Sequence, residues 1–179
     1  MTRFILALAL VLTLGLAASA AASPDPQTAP GDPLDPRTYA PDSKPSLEVY
    51  AAGVQKYTCQ PNGTWLFTDP EATLYDDKGK AVGTHFLNFA TGRPVWQFKD
   101  GSSVEAARKA SASGGAGNIA WLLLQVVANS SGSEGDRLNG ATWVQRLNTS
   151  GGVAPAGTCT PGDTIAVPYS TDYVFWKAV

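Results

Sequence analysis

The chain has 179 residues, of which 13 are basic and 15 acidic, and its formal net charge is −2. This balance argues against a nucleic-acid-binding protein, because such proteins need clustered cations to displace counterions from phosphates. Residues 1–22 and 23–45 differ in composition from the rest and are described below. The remaining residues, 46–179, have the length of a single domain with one hydrophobic core.

Residues 1–22 have the pattern of a secretory signal peptide. Arg3 supplies the positive charge, Phe4–Leu16 the apolar region, and Ala18-Ser19-Ala20 a small-residue cleavage site. A membrane anchor is the alternative, but the apolar run of about 13 residues is shorter than the roughly 20 that a spanning helix needs. We therefore expect an exported chain, secreted, periplasmic or extracellular, with no membrane span in its mature form.

Residues 23–45 are rich in proline and aspartate. Proline removes amide donors and disfavours helical conformation in the residue before it, so this stretch predicts an extended linker. The linker either spaces the domain from the cell envelope or frays at the surface.

Residues 46–179 predict a single all-β domain, an antiparallel sandwich or small barrel with long loops. The evidence is a series of short runs rich in β-branched and aromatic residues, separated by turn residues. Asp77-Lys78-Gly79 and Asp100-Gly101 are predicted turns. The predicted strands are Val54–Cys59, Thr64–Thr68, Ala72–Asp76, Ala81–Leu87, Pro94–Phe98, Ile119–Ala128, Ala141–Asn148, Asp163–Pro168 and Tyr173–Lys177.

Two segments of this domain carry more specific predictions. Ser103–Ala110 contains Glu, Arg and Lys among alanines and is the best helix signal, limited to two turns by the glycines that follow. Ile119–Ala128 is apolar at both odd and even positions, which predicts a central strand buried on both faces, with Trp121 in the core.

The two cysteines, Cys59 and Cys159, both lie in the exported part of the chain. In an oxidising compartment an even pair usually forms a disulfide, and we predict one here. A metal pair or a catalytic thiol is the alternative. A structural zinc site, however, needs four closely spaced ligands, and this sequence has one histidine.

Several phrases of the sequence occur in a recognisable order. They are Gly53–Cys59, Val82–Phe86, Trp96 with Asp100–Val104, Ile119–Leu124, Gln145–Gly152, Pro155–Cys159, and Val167–Tyr169 ahead of Tyr173–Phe175. Together they resemble the secreted bacterial and fungal family called domain of unknown function 3455, over about Tyr50 to Trp176. The resemblance implies a secreted single-domain protein with both cysteines in the family pattern and with no established activity.

Some fungal relatives in that family carry the label malate dehydrogenase. Gly115–Ala120 does match the dinucleotide pattern G-x-G-x-x-A. That pattern works only with a strand before it and a helix after it, so that the helix N-terminus meets the pyrophosphate. Here a serine-rich stretch precedes and a predicted strand follows, so we expect a loop and no cofactor.

Catalytic candidates are few. His85 is the single histidine, and no G-x-S-x-G nucleophile motif is present. A structural role for His85 is one interpretation; proton transfer or ligand binding is the other. Acidic residues that could form a hydrolytic pair mostly stand in turn contexts. They are Glu71, Asp76, Asp77, Asp100, Glu105, Asp136, Asp163 and Asp172. Asp100 is expected to cap its turn, and we predict no metal site.

Five tryptophans are many for a domain of this size, and indoles either fill cores or stack on sugar rings. Trp65 and Trp96, next to polar turns, are the two predicted to be exposed. We predict a non-enzymatic extracellular or envelope-binding module, with polysaccharide as the candidate partner and His85, Trp96, Asp100 and Trp65 as binding residues. The alternative is a small secreted hydrolase using His85 or a carboxylate pair. The sequence gives no oligomeric state.

Overall fold

A computed structural model describes residues 40–179, and every regular element in that range is a β-strand. The eight strands are β1 (Ser43–Cys59), β2 (Trp65–Tyr75), β3 (Ala81–Asn88), β4 (Arg93–Phe98), β5 (Ser103–Ala112), β6 (Trp121–Ser130), β7 (Ala141–Gly151) and β8 (Thr164–Ala178). Between residues 40 and 179 no helix is long and apolar enough to cross a membrane. The predicted all-β class is confirmed.

The strands form one closed barrel. Each strand pairs antiparallel with the next in the chain, and β8 pairs with β1 from Ser43 opposite Ala178 to Thr58 opposite Thr164. Closure leaves no unpaired strand edge. Of the two predicted architectures, the small barrel is therefore the observed one. The longer loops join β5 to β6, β6 to β7 and β7 to β8.

One end of the barrel interior is filled with apolar side chains. Alternate residues of each strand point inward. Leu138, from the loop between β6 and β7, is fully buried against them and closes this end. The Leu138 backbone N–H donates to Ser102 Oγ at 3.2 Å, which fixes the loop to the turn between β4 and β5. We call this the closed end. The packed side chains include Val49, Leu74, Phe98, Val104, Val144 and Phe175.

A smaller apolar cluster lies on the outer face of the wall. Trp176 alternates with the inward-facing Phe175 and so points outward. Its indole N–H donates to the buried Gln145 Oε1 at 2.8 Å. Ala40, Ala110 and Leu123 pack in the same cluster. Ala40, three residues before the start of β1, is thereby packed on the outside of the barrel.

The predicted disulfide between Cys59 and Cys159 is present. Their Cα atoms are 5.8 Å apart, at a sequence separation of 100. The bond joins the end of β1 to the loop between β7 and β8, where the Cys159 N–H also donates to the Gly63 carbonyl at 3.1 Å. This loop lies at the end of the barrel opposite Leu138, which we call the open end.

The strands are fewer and longer than the sequence predicts. Thr64–Thr68 and Ala72–Asp76 belong to the single strand β2, and Asp163–Pro168 and Tyr173–Lys177 to β8. Pro70, between the two strands predicted in this region, is accommodated in the ladder, where it pairs with Gln55. The predicted hairpin turn at Asp77-Lys78-Gly79 is confirmed, because Asp76 Oδ1 accepts hydrogen bonds from the Lys78 and Lys80 N–H groups.

The helix predicted at Ser103–Ala110 is wrong. The segment is β5, which pairs with β4 on one side and with β6 on the other. Its alanines, Glu105 and Arg108 favour a helix locally, but pairing with two neighbours outweighs a propensity difference below 1 kcal/mol per residue. Gly115–Ala120 lies in the loop after β5 and is followed by β6, another strand.

The prediction of a central strand buried on both faces is also wrong. Only Leu123 and Leu124 of β6 are fully buried, and Val127 is 47% exposed. The apolar run is explained by the outer cluster, which covers one part of the outward face. Trp121, predicted in the core, is half-buried on that outward side, as Leu122 and Leu124 face the interior.

The boundary of the predicted linker moves by three residues. Ser43, Lys44 and Pro45 lie in β1, opposite the end of β8. The ladder tolerates Pro45 because a register shift follows it, between Pro45 and Leu47. The predicted signal peptide, 1–22, and linker residues 23–39 lie outside the described residues.

Candidate functional site

The open end of the barrel holds a cavity of about 420 Å³ on the barrel axis. Each of the eight strands contributes at least one residue to its lining. The walls are mainly apolar, formed by Phe67, Leu87, Pro94, Ala106, Leu122 and Leu124. The polar side chains in the lining are Gln55, His85, Trp96, Arg93, Arg108, Arg146 and Tyr173.

Strand register brings the polar residues together. Arg146 of β7 is the cross-strand neighbour of Leu122 on β6 and of Tyr173 on β8, so these three form a row across the wall. A second row is formed by His85 of β3, which is the cross-strand neighbour of Trp96 on β4. Cross-strand neighbours share one face of the sheet, and the cavity lining shows that both rows are on the interior face.

His85 is packed between aromatic rings. It is 3% exposed and stacks on Trp96 with ring centroids 4.5 Å apart. Its Nδ1 lies 2.8 Å from the Val95 carbonyl, which can only accept, so Nδ1 carries the proton and Nε2 is an acceptor. Burial, opposed by that hydrogen bond and reinforced by the Arg146 charge, lowers the pKa of His85 to about 3. The ring is neutral at physiological pH.

Four buried polar groups at or beside the cavity form no hydrogen bond of normal geometry within residues 40–179; three are on side chains that line the cavity, and the fourth is the Tyr169 hydroxyl beside Tyr173. They are Gln55 Nε2, Trp96 Nε1, the Tyr169 hydroxyl and the Tyr173 hydroxyl. The side chains are between 1% and 4% exposed. Burial raises the pKa of both tyrosines, and each hydroxyl influences the pKa of the other, yet neither forms a hydrogen bond of normal geometry. By contrast the Tyr57 hydroxyl donates to the Gly152 carbonyl at 2.6 Å.

Arg146 is held in place by the loop that precedes β6. Its Nε donates to the Ala120 carbonyl at 2.9 Å. Within residues 40–179 no carboxylate lies within ion-pair distance of its guanidinium. Its charge lowers the pKa of His85, Tyr169 and Tyr173, which places a positive field among the unpaired donors.

The structure brings together only two of the four predicted binding residues, His85 and Trp96. Trp96 was expected at the surface and is instead 1% exposed, because inward alternation on β4 turns its indole into the barrel. Asp100 lies at the closed end, where its Oδ1 caps the turn by accepting from the Ser102 N–H at 2.9 Å. Trp65, at the start of β2, is half-buried and lies outside the cavity lining.

Both oxygens of the Asp100 carboxylate accept hydrogen bonds from backbone N–H groups. Its Oδ2 accepts from the Arg137 N–H at 3.1 Å. Burial alone would raise the pKa of Asp100, but the hydrogen bonds from Ser102 and from the Arg137 backbone lower it overall. Its expected role as a turn cap is confirmed.

The other acidic candidates do not line the cavity. Glu105 accepts from Asn88 Nδ2 at 2.9 Å on the outer face, and Asp172 accepts from Asn148 Nδ2 at 2.8 Å. Glu71 pairs with Lys56. No group of three or more His, Cys, Asp or Glu side chains able to hold a metal ion occurs in the described part of the chain.

Grooves are also present on the outer face of the barrel within residues 40–179. The larger groove, of about 580 Å³, is lined by Phe86, Phe89, the first residues of β5 and the last residues of β6. None of the buried unpaired polar atoms belongs to it. The axial cavity is therefore the candidate site.

A family model described as "Protein of unknown function (DUF3455)" matches residues 40–177. The chain belongs to this family. No curated protein and no solved structure shows a significant match. The match begins at Ala40, the residue that packs into the outer cluster, and ends within β8, so it covers the whole DUF3455 barrel.

Sequence reasoning missed Gln55, Arg146 and Tyr173, which line this DUF3455 site, and Tyr169, whose hydroxyl lies beside that of Tyr173. A usable signal was present on β8, where Tyr169, Thr171, Tyr173 and Phe175 occupy every second position. Read as one continuous strand, that alternation puts three polar side chains on the interior face beside Phe175. Dividing β8 into two short strands hid the pattern.

Proposed function

We propose that this DUF3455 chain is a secreted, non-enzymatic binding module that holds a small organic ligand in the axial cavity. The observation that carries the proposal is that three side chains lining the cavity, Gln55, Trp96 and Tyr173, bury polar atoms that form no hydrogen bond of normal geometry within residues 40–179. Burying a polar group unpaired costs roughly 1–3 kcal/mol, so each such group in a native protein requires an explanation. Ligand atoms that pair with these groups supply one.

The form of the cavity supports the same proposal. Small-molecule sites are concave and mostly apolar, with a few placed polar groups, and span roughly 300–1,000 Å³. The cavity of about 420 Å³ meets this description, with apolar walls and polar atoms from Gln55, Trp96 and Tyr173. Secretion rests on the predicted signal peptide, and the disulfide is consistent with an oxidising compartment.

A flat polysaccharide-stacking surface has less support than the cavity. Trp96 lies inside the barrel, and Trp65 is half-buried and separate from it. A sugar recognised by this module would therefore have to enter the cavity as a short unit. Carbohydrate stays among the ligand classes to be tested.

The hydrolase alternative also has less support from the geometry. His85 is packed against Trp96 and its Nδ1 proton is committed to a backbone carbonyl. No acidic side chain of the described residues lines the cavity to complete an acid–base pair.

The proposal is tested by a thermal-shift screen of the mature chain, followed by calorimetry. The library contains carboxylic acids, neutral lipids and mono- and oligosaccharides. We expect one class to raise the melting temperature, and Leu122→Trp, which fills the cavity from β6, to abolish that shift. Val127→Trp is the control, because Val127 lies on the same strand but is 47% exposed on the outer face.

Two outcomes would overturn the proposal. One is that no compound binds the chain. The other is that insoluble polysaccharide retains the chain, that Trp65→Ala abolishes retention and that Leu122→Trp does not. The second outcome would favour a surface-binding module.

A further inference from the structure

The charges around the cavity are of one sign. Its lining contains Arg93, Arg108 and Arg146 and no aspartate or glutamate. This composition differs from the chain as a whole, whose formal net charge is −2. Arg93 is paired on the outer face, where its Nη1 lies 3.3 Å from Glu105 Oε1. Arg146 faces the interior row instead and has no carboxylate of residues 40–179 at ion-pair distance.

The groups next to Arg146 are hydrogen-bond donors. Tyr173 is its cross-strand neighbour, and the Tyr173 hydroxyl, Trp96 Nε1 and Gln55 Nε2 are buried and unpaired. An amide N–H and an indole N–H can only donate, and a hydroxyl can donate by rotation. A set of donors beside one guanidinium matches a head group made of acceptor oxygens, which is the chemistry of a carboxylate.

Arg93 is paired with Glu105 and Arg108 is exposed, so Arg146 is the cation next to the unpaired donors, and its single charge limits the charge of the ligand there. The neutral His85 imidazole, whose Nδ1 proton is committed to Val95, adds no second cation to the site. A dianion such as a phosphate monoester would therefore be only half-neutralised in a buried site, which is costly. A monoanion is balanced by Arg146 alone.

The remaining walls require an apolar body. Leu122 and Leu124 of β6 line the cavity together with Leu87 of β3, Pro94 of β4 and Ala106 of β5. Burial of hydrocarbon on such walls contributes about 0.8 kcal/mol per methylene. A small polar acid such as acetate would leave this surface without a partner.

From this geometry we infer that the cavity binds an amphipathic monocarboxylate, with its carboxylate at Arg146 and Tyr173 and its apolar body along Leu122 and Leu124. The inference rests on the proposed function and adds the ligand class to it. Arg146 is the specificity-determining residue, and the donors of Tyr173, Gln55 and Trp96 complete the carboxylate site.

Calorimetric titration of the mature chain with decanoate, decanol and acetate tests the inference. We expect decanoate to bind about 10- to 100-fold more tightly than decanol, the range expected for hydrogen bonds to a charged group. Acetate should bind far more weakly than decanoate. Arg146→Gln should remove the preference for decanoate by lowering its affinity to that of decanol. Arg137→Gln is the control, because Arg137 lies at the closed end over the Phe98 ring.

A second variant keeps the test decisive if Arg146→Gln fails to fold once the Ala120 carbonyl loses its donor. Tyr173→Phe keeps the ring packed on Trp96 and removes only the hydroxyl. We expect it to weaken decanoate binding several-fold and to leave decanol binding unchanged.

Equal binding of decanoate and decanol, unaltered by Arg146→Gln or Tyr173→Phe, would overturn the inferred ligand class and leave the cavity-binding proposal standing. Binding of none of the three probes, together with binding of a neutral sugar that Leu122→Trp blocks, would have the same meaning. Absence of any cavity ligand would overturn both.

Discussion

The protonation of His85 leads to a quantitative prediction about stability. The folded pKa is about 3 because the ring is buried, whereas the ordinary value of 6.5 applies in the unfolded chain. Between these two values the unfolded chain binds a proton that the folded chain does not. Stability from this source is therefore fully present above pH 6.5 and is lost as the pH falls toward 3.

The loss of stability at pH 5 depends almost entirely on the pKa of His85 in the unfolded chain. Protonation of the unfolded imidazole alone costs the folded state about 2 kcal/mol at pH 5 relative to pH 7.5. The groups facing the ring from the packed strands are Trp96, Tyr173 and the Arg146 charge, none of which stabilises an imidazolium by an ion pair. A folded pKa anywhere below 4 gives the same result.

Urea unfolding of the wild type and of His85→Gln at pH 7.5 and pH 5 measures this difference. The variant loses the ring stack and is expected to be less stable at both pH values, but that loss cancels when the pH dependence is compared. We expect the wild type to lose about 2 kcal/mol more than the variant between the two pH values. Carboxylates titrate in both proteins and also cancel.

Because the sequence contains one histidine, proton NMR reports the folded pKa directly. The ring signals of the folded chain should not move between pH 8 and pH 5. A midpoint near 6.5, or an identical pH dependence of stability in wild type and variant, would refute the reasoning and mean that His85 is solvated in the folded protein.

Three further predictions concern the barrel. Replacing Cys59 and Cys159 by serine should lower stability by up to about 4.7 kcal/mol, the loop-closure value for the observed separation of 100, with a melting temperature lower by on the order of 10 °C. Thiol labelling of the unfolded, unreduced wild type should find no free cysteine, and two labelled thiols would contradict it. Leu138→Ala should lower the free energy of unfolding in urea by about 2–5 kcal/mol, because it leaves a cavity where the buried Leu138 side chain closes the barrel. A loss below about 1 kcal/mol would show that the loop adjusts. Gly53→Ala should cost about 3 kcal/mol or more, because the added Cβ would collide with the backbone oxygen of Glu71 in β2, and unchanged stability would contradict this packing.

Most strands could be predicted because their signals are local. Runs of β-branched and aromatic residues mark β3, β4 and β7, and the turn residues Asp77-Lys78-Gly79 and Asp100-Gly101 mark hairpins. The failure at β5 has the opposite origin. Its alanine, glutamate and arginine content favours a helix in isolation, and only pairing with β4 and β6 makes it a strand.

Closure of the barrel could not be predicted from local signals. A sandwich and a barrel use the same alternating strands, and the difference is whether β8 reaches β1. Here that pairing extends from Ser43 opposite Ala178 to Thr58 opposite Thr164, contacts separated by more than 100 residues. The sequence also could not say that Pro45, at the predicted linker boundary, lies inside this ladder.

The candidate site was only half predictable for the same reason. His85 and Trp96 stood out as rare residue types, and register makes them neighbours on the interior face. Arg146 did not stand out, since one arginine in a strand is unremarkable until the row Leu122, Arg146, Tyr173 is known. Asp100 and Trp65 were chosen from turn context, which describes local structure and not the direction of a side chain.

The inward positions of β8 indicate why the open end is more than an incompletely filled core. In order from the closed end to the open end, these residues are Phe175, Tyr173, Thr171 and Tyr169. If the change from apolar to polar served the fold alone, each hydroxyl would be expected to find a partner, as Thr171 does in donating to the Leu147 carbonyl at 2.5 Å. The hydroxyls of Tyr169 and Tyr173 form no hydrogen bond of normal geometry within residues 40–179. Phenylalanine at both positions would keep the ring packing and avoid the cost of an unpaired buried hydroxyl. We therefore expect Tyr169→Phe and Tyr173→Phe to leave the ligand-free barrel as stable as the wild type or more stable in urea unfolding, and a clear loss of stability in either variant would show that the hydroxyl serves the fold.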